Sequence, residues 1–297
     1  MARQETPRAT GAEEGERDCV LCPPLRFRLN EMADLPGESA VLADDGGLFL
    51  MPDLAPLADG HVLLVTALHH QCAGAFGEDL WAGAWRWRRR VGRIYRAAYG
   101  REDLVMFEHG PGTPQGGGAC VDHAHWHLLP HPSGGGMRAL LEERGLGGRV
   151  ATRESVREYF RTGRSYLLLE EEGAVTVHPG EGVPSQYLRW VAKKALGLHG
   201  GTPGARQGAA YDPEPQIWRW QEQFGLPASR ARFLRTLERL RAAMAQDETG
   251  EAQDEAEGEP EEAEEGGHPG ARRVADHQKS SPAASRSPNP IRSTPSP

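Results

Sequence analysis

The chain has 297 residues, 42 acidic and 34 basic, for a net charge of −8, and 38% of its residues are apolar. No run approaches the ~20 apolar residues of a membrane helix, residues 1–18 lack the apolar segment of a secretory leader, and four cysteines are too few for a disulfide scaffold. A cytoplasmic protein with reduced thiols and no membrane association is therefore expected.

The charge is unevenly placed. Residues 247–267 carry 11 acidic side chains and no basic one, and residues 268–297 carry a net +4, which leaves −1 for residues 1–246. An acidic, then Ser/Pro-rich stretch with almost no large apolar side chains cannot offset its ordering entropy. Residues 247–297 thus read as a disordered tail and residues 1–18 as a shorter disordered arm. About 225 residues remain, enough for one large domain or one domain with an elaborated C-terminal part.

In chain order, Leu48–Met51 and His61–Thr66 read as strands. Glu78–Tyr99 reads as a long helix, with Trp81, Ala84, Trp85, Val91, Ile94, Tyr95 and Ala98 on one side and Arg86, Arg89, Arg90 and Arg93 on the other, a solvated face. Leu104–Glu108 reads as a strand, Gly110–Gly118 as a Gly/Pro loop and Val121–Leu129 as the next strand. Beyond it, Thr152–Arg161 predicts a helix with a Thr cap, and Tyr166–Leu169 with Val175–Val177 a hairpin about Glu172-Gly173. Ser185–Leu198 and Ser229–Ala245 predict two more helices. Strands in antiparallel-compatible order around one long helix favour α+β.

The segment that carries chemistry is Asp122-His123-Ala124-His125-Trp126-His127-Leu128-Leu129-Pro130. On a strand, alternate side chains face one way, so His123, His125 and His127 share a face and Ala124, Trp126 and Leu128 the core face. One histidine here would read as structural. Three at period two fit either a metal site or nucleophilic attack on phosphorus, with one imidazole attacking and its neighbours binding phosphate oxygens. The preceding glycine-rich loop permits close backbone approach to an anion. Asp53 reads as a turn aspartate or as an acceptor for a vicinal diol. Cys19-Val-Leu-Cys22 is open between redox, metal-binding and incidental readings.

From Cys19 to Pro130 these residues resemble the histidine triad (HIT) superfamily, with Asp53, Gly60-His61-Val62, His69 and the triad in that family's order. The resemblance implies an antiparallel α+β sheet with helices on one side and cleavage at the α-phosphate of a nucleotide, such as a dinucleoside polyphosphate or a nucleoside phosphoramidate. It puts the nucleophile on His125 and phosphate contact on His127. Support falls to His123 and to His61, the family's fourth histidine, and ribose binding to Asp53. It also implies zinc, since one bacterial branch holds that metal with residues that correspond to Cys19, Cys22, His69 and His123; no organic cofactor is implied. Dimerisation is common in that family, so a homodimer is a partner to test for, beside the nucleotide substrate; specific nucleic-acid binding is not expected, and the absence of cysteines after Cys120 disfavours an aprataxin-like role.

The chain also departs from the pattern. Ala119 and Cys120 stand where the family places Gln, Ser or Thr against the phosphate, and a thiol donates only weakly. Gln115 is a substitute, and His109 lines the nucleotide pocket or is structural. Pro184–Arg189, with Trp218 and Trp220, resembles the C-terminal extensions of long members, which either cover the site and select the second substrate moiety or, the favoured reading, pack. The expected layout is a catalytic domain over residues 19–135 and a mixed extension over 136–246. The rival functions are a non-catalytic nucleotide-binding protein and a cupin-like strand-histidine metalloenzyme, which would need a Glu and a further His at a spacing not found here.

Overall fold

The computed structural model describes residues 19–23, 25–26, 40–112, 121–130, 136–195, 197 and 219–257, with side chains to residue 245. Eight strands form one sheet: β1 (Ala43–Asp44), β2 (Leu48–Pro52), β3 (Val62–Thr66), β4 (Leu104–Gly110), β5 (His125–Pro130), β6 (Arg149–Val150), β7 (Tyr166–Glu171) and β8 (Ala174–Pro179). Their spatial order is β1-β2-β3-β5-β4-β7-β8-β6, and every pair is antiparallel. The helices are α1 (Glu78–Tyr99), α2 (Met137–Glu143), α3 (Arg153–Arg161), α4 (Tyr187–Ala195), α5 (Trp220–Gln223) and α6 (Pro227–Glu257). Among the described residues no helix is long and apolar enough to cross a membrane.

The α+β class and the long helix are as expected. α1 opens with Glu78 and Asp79 and closes with Arg96, which complement its dipole, and ends on Gly100 in the left-handed region. Its buried stripe is Ala84, Trp87, Val91, Ile94, Tyr95 and Ala98. Trp87 takes a place the expected stripe omitted, because its indole N–H donates to Asp45 at 2.6 Å. Trp81 and Trp85 lie at the helix margin and pack on Trp126, with ring centroids 6.1 and 5.1 Å away. The hairpin between β7 and β8 turns at Glu172 and Gly173, both at positive φ, the geometry of a two-residue type I′ turn. Thr152 caps α3, its side chain accepting from the Ser155 N–H.

Three expectations need correction. The histidine strand begins at His125 rather than Val121; the Ala124 N–H bonds to the His70 carbonyl at 2.6 Å, and His123 precedes the strand. Helices cover both faces rather than one. α1 packs on the side of Leu50, Leu64, Trp126, Leu128, Met106 and Leu168, whereas α2 and α4 pack on the side of Val105, Phe107, Leu129, Leu167 and Leu169. The last helix is also longer than expected, running Pro227–Glu257. The residues after 136 supply three strands to the same sheet, two helices to its second face and Arg189 to the site.

On the α1 face, Glu108 is 3% exposed and accepts from the Ala73 N–H at 2.9 Å and the Tyr166 hydroxyl at 2.7 Å. Burial raises its carboxyl to about 7 despite those bonds. A carboxyl raised on folding stabilises the fold fully below its unfolded value of about 4.5, and that contribution is lost as pH rises through about 7. The loss amounts to no more than about 3 kcal/mol. Urea unfolding of Glu108→Gln near pH 5 and near pH 8 should therefore show a smaller fall in stability than the wild type does. Equal falls in the two proteins would count against this assignment.

Candidate active site and metal cluster

The first cluster gathers the N-terminal cysteine pair with two histidines. The Cys19 and Cys22 thiols each lie 3.4 Å from His123 Nδ1, and Cys22 lies 3.4 Å from His69 Nδ1. All four ligand atoms fall within 4.8 Å of one another. A tetrahedral zinc with bonds of ~2.3 Å to sulfur and ~2.0–2.1 Å to nitrogen has S···N edges of about 3.6 Å, so the donor set fits that ion. His123 Nε2 lies 2.8 Å from the Thr66 carbonyl, an acceptor only, so the ring proton is on Nε2 and the Nδ1 lone pair points at the thiols. A backbone carbonyl on the outer nitrogen is the usual way in which a metal-binding imidazole is oriented.

The second cluster lies on the α4 face, at the β2–β3 hairpin and on β5. Asp53 follows β2 and His61 precedes β3, and the Asp53 N–H donates to the His61 carbonyl at 3.0 Å. Gly60 makes that approach, with φ at +86° and space for no side chain, since a Cβ would come within 2.7 Å of Pro130. The Leu57 N–H donates to His61 Nδ1 at 3.1 Å. The His61 proton is therefore on Nε2, 3.0 Å from His127 Nδ1. Accepting there leaves His127 with its own proton on Nε2, as a donor. Phe107, opposite His127 in register, stacks on its ring with centroids 4.8 Å apart.

His125 holds the opposite tautomer. Its Nδ1 lies 2.6 Å from the His123 carbonyl, which can only accept, so the lone pair is on Nε2. Metal cluster and strand histidines thus meet at His123, whose imidazole faces the cysteines while its main chain orients His125. His125 lines a cleft of about 510 Å³, open mouth included, with Asp53, Arg189, Trp220 and an apolar wall that includes Leu21, Met51 and Leu54.

Electrostatics complete the arrangement. Burial by itself would raise the Asp53 carboxyl, but Arg189, with His61 and His127, outweighs it and holds the group well below the usual carboxylate range. Burial lowers His127 to about 4, lowers His125 and takes His61 well below its ordinary value. Near neutral pH the imidazoles are uncharged beside one carboxylate and one guanidinium.

The structure therefore places His125 and Asp53 in the cleft wall, with His61 and His127 buried against Asp53, and gathers Cys19, Cys22, His69 and His123 in a second cluster. Gln115 and Cys120, with Ala119 and Trp218, lie outside the described residues. His109 sits on β4, its Nε2 lying 3.2 Å from the Ser165 hydroxyl, and it is not among the cleft residues. In the cleft wall, Asp53 Oδ1 accepts the Ala55 N–H at 2.7 Å and Oδ2 accepts Arg189 at 2.6 Å. Sequence reasoning favoured packing for the segments of Arg189 and Trp220, with cover of the site as the other reading, and passed over Thr66. Only the aromatic content of the extension hinted at Trp220; nothing local distinguishes Arg189 from the other helix arginines.

An antiparallel α+β sheet thus carries a Cys₂His₂ cluster beside strand histidines of opposed tautomers. The solved structures it resembles include histidine triad proteins. It is 14% identical to a HIT-like protein from Bartonella henselae, over 50% of this chain and 95% of that one, with a TM-score of 0.30. A zinc-bound histidine triad family protein from Mycobacterium smegmatis is 17% identical over 50% and 94%, with a TM-score of 0.27. A yeast Ap4A phosphorylase in complex with AMP is 16% identical over 50% and 63%, with a TM-score of 0.31. No protein-family model and no curated protein matches the chain.

Proposed function

We propose that the chain is a nucleotide-processing enzyme of the histidine triad type, with His125 as nucleophile at the α-phosphorus of a dinucleoside polyphosphate or nucleoside phosphoramidate. The observation that carries the reading is the 2.6 Å bond from His125 Nδ1 to the His123 carbonyl, which leaves a lone pair on Nε2 of a neutral imidazole in the cleft wall. In the first step Nε2 bonds to phosphorus, the bond to the leaving group breaks, and that group departs with the electron pair and gains a proton. In the second, water attacks phosphorus and gives up a proton, which replaces the one the leaving group took; the P–N bond to His125 breaks, and Nε2 recovers its lone pair. His127, with its Nε2 proton fixed by the His61 contact at 3.0 Å, donates to the phosphoryl oxygen as charge develops there.

Cys19, Cys22, His69 and His123 would hold zinc. Bound there, it would tie the N-terminal segment to the sheet and fix the His123 carbonyl against His125. The metalloenzyme alternative for the strand histidines is disfavoured by two observations. His61 Nδ1 already accepts the Leu57 N–H, and a guanidinium stands 2.6 Å from the Asp53 oxygen nearest both histidines. The decisive experiment is rapid quenching with adenosine phosphoramidate or a dinucleoside polyphosphate, followed by peptide mass mapping. A nucleotidyl adduct on His125 is expected. Turnover with the adduct on another residue would overturn the nucleophile, and nucleotide binding without turnover would favour the binding-only alternative.

The apolar wall and Trp220 make the cleft suited to a nucleobase. The backbone N–H of Trp220 donates to the Gln186 side chain at 2.7 Å, and Gln186 is itself held at a φ of 63°. Stacking of a base on an aromatic ring contributes about 1–3 kcal/mol. Trp220→Ala should weaken AMP binding by about tenfold or more, and Trp220→Phe should retain most of it. Calorimetric titration gives both constants; equal affinity in the alanine variant would remove Trp220 from the base site.

A further inference from the structure

Arg189 enters the cleft from α4, in the C-terminal half of the chain, and its side chain is 2% exposed. Nη1 donates to Asp53 Oδ2 at 2.6 Å and Nη2 to the Ala55 carbonyl at 2.5 Å. Asp53 Oδ2 is also the atom that lies 3.4 Å from His61 Nε2 and 3.4 Å from His127 Nδ1. One oxygen thus joins the guanidinium to the histidine pair. A charge pair taken out of water is costly and needs good geometry and further hydrogen bonds to be tolerated; here both partners have them.

We infer that Arg189 is a positioning residue, pinning the Asp53 carboxylate against the His61–His127 pair so that α4 is an integral part of the active site. The inference rests on the catalytic reading above. Its physical content is electrostatic. Without the guanidinium, Asp53 would be an uncompensated buried anion, and the nearest site for a balancing proton is the imidazole pair. Protonation there would take from His61 the lone pair that accepts the Leu57 N–H, or from His127 the one that accepts from His61. Either event would break a bond that holds the pair, Leu57 to His61 or His61 to His127, and so free the ring that aims the His127 Nε2 proton. The other charged or titratable groups around the pair are few. His125 lies beside His127 with centroids 5.0 Å apart. Arg232 of α6 donates to the Pro56 carbonyl at 2.8 Å and acts to lower His61 further. Asp59 is turned outward to Arg232 and Arg235.

The test uses the full chain as wild type, Arg189→Gln and Arg189→Lys. Imidazole ¹⁵N spectra are followed through a pH titration, beside the pH–rate profile of adduct formation. In Arg189→Gln the His61–His127 pair should take up a proton about 1–2 pH units higher than in the wild type. The rate near neutrality should fall by about tenfold or more and recover as pH rises. Arg189→Lys, which restores the charge, should return most of both. A folded Arg189→Gln protein with wild-type spectra and profile would overturn the inference. If that variant does not fold, the charge-free pair Arg189→Met with Asp53→Asn replaces it, and a wild-type rate in that protein would equally overturn it. Shifted histidine spectra without any nucleotidyl adduct would overturn the catalytic reading and support the positioning role. An adduct with unshifted spectra would do the reverse.

Discussion

Replacing His125 by Ala is expected to abolish the nucleotidyl adduct and to lower turnover by at least about 10³-fold, the scale on which removal of a nucleophile acts. AMP binding should stay within a few-fold of wild type, because the apolar wall, Trp220 and Arg189 are untouched. The fold should also survive. His125 is half-buried at the edge of its strand, and losing its bond to the His123 carbonyl costs about 1 kcal/mol. His127→Ala gives the informative contrast. It removes a charge-stabilising donor rather than the attacking atom, so the adduct should still form, about 10²–10³-fold more slowly. It also leaves the Asp53–His61 couple one partner short and should cost more stability. Single-turnover quenching with mass detection separates the two variants. Adduct formation in the His125 variant, at any site and at a comparable rate, would sink the assignment.

Much of this arrangement is legible in the sequence where a residue's role follows from local periodicity. The α1 stripe recurs at helical spacing, and the Glu172-Gly173 turn and the Thr152 cap carry their own signatures, so their positions are close to those observed. The four residues of the Cys₂His₂ cluster come together as the resemblance implies. What local pattern misses is the start of the strand. Period two predicts a strand from Val121, yet Ala124 bonds to His70 and the strand starts at His125, with His123 beside the cysteines. The histidine keeps an influence on its neighbour through its carbonyl, which no side-chain pattern reveals. Arg189 is illegible for a related reason. Its partner lies 136 residues away in sequence, and a lone arginine on a short helix looks like any solvated one until the fold brings Asp53 beneath it. Long-range polar contacts are set by topology, and topology was the part of the extension that composition left open.

Zinc should be recovered at about one ion per chain from protein prepared without chelator, and its removal should be the largest single loss of stability in the molecule. Zinc-binding free energy is folding free energy where the metal joins segments that do not otherwise hold together. Here the segment around Cys19 and Cys22 meets the sheet through a small apolar contact with Phe49, Met51, Leu63 and Val65, and the rest of the fold has its own core. The loss should therefore be partial, on the order of 4 kcal/mol, or roughly 10 °C in thermal midpoint for a domain of this size. Cys22→Ser should reproduce it, because the Cys22 thiol lies 3.4 Å from both His69 and His123 and its loss strips the cluster of its shared donor. Catalysis should fall with it by a separate route. Freed of its ligand role, His123 can turn, and its carbonyl then no longer holds the His125 proton on Nδ1. Adduct formation should thus drop more steeply on chelation than AMP binding does, and both should return on adding zinc. Elemental analysis, thermal unfolding and quenched adduct assays on one preparation check all three. Protein that is metal-free as isolated, with an unchanged midpoint and full adduct formation, would leave the cysteines as packing residues only.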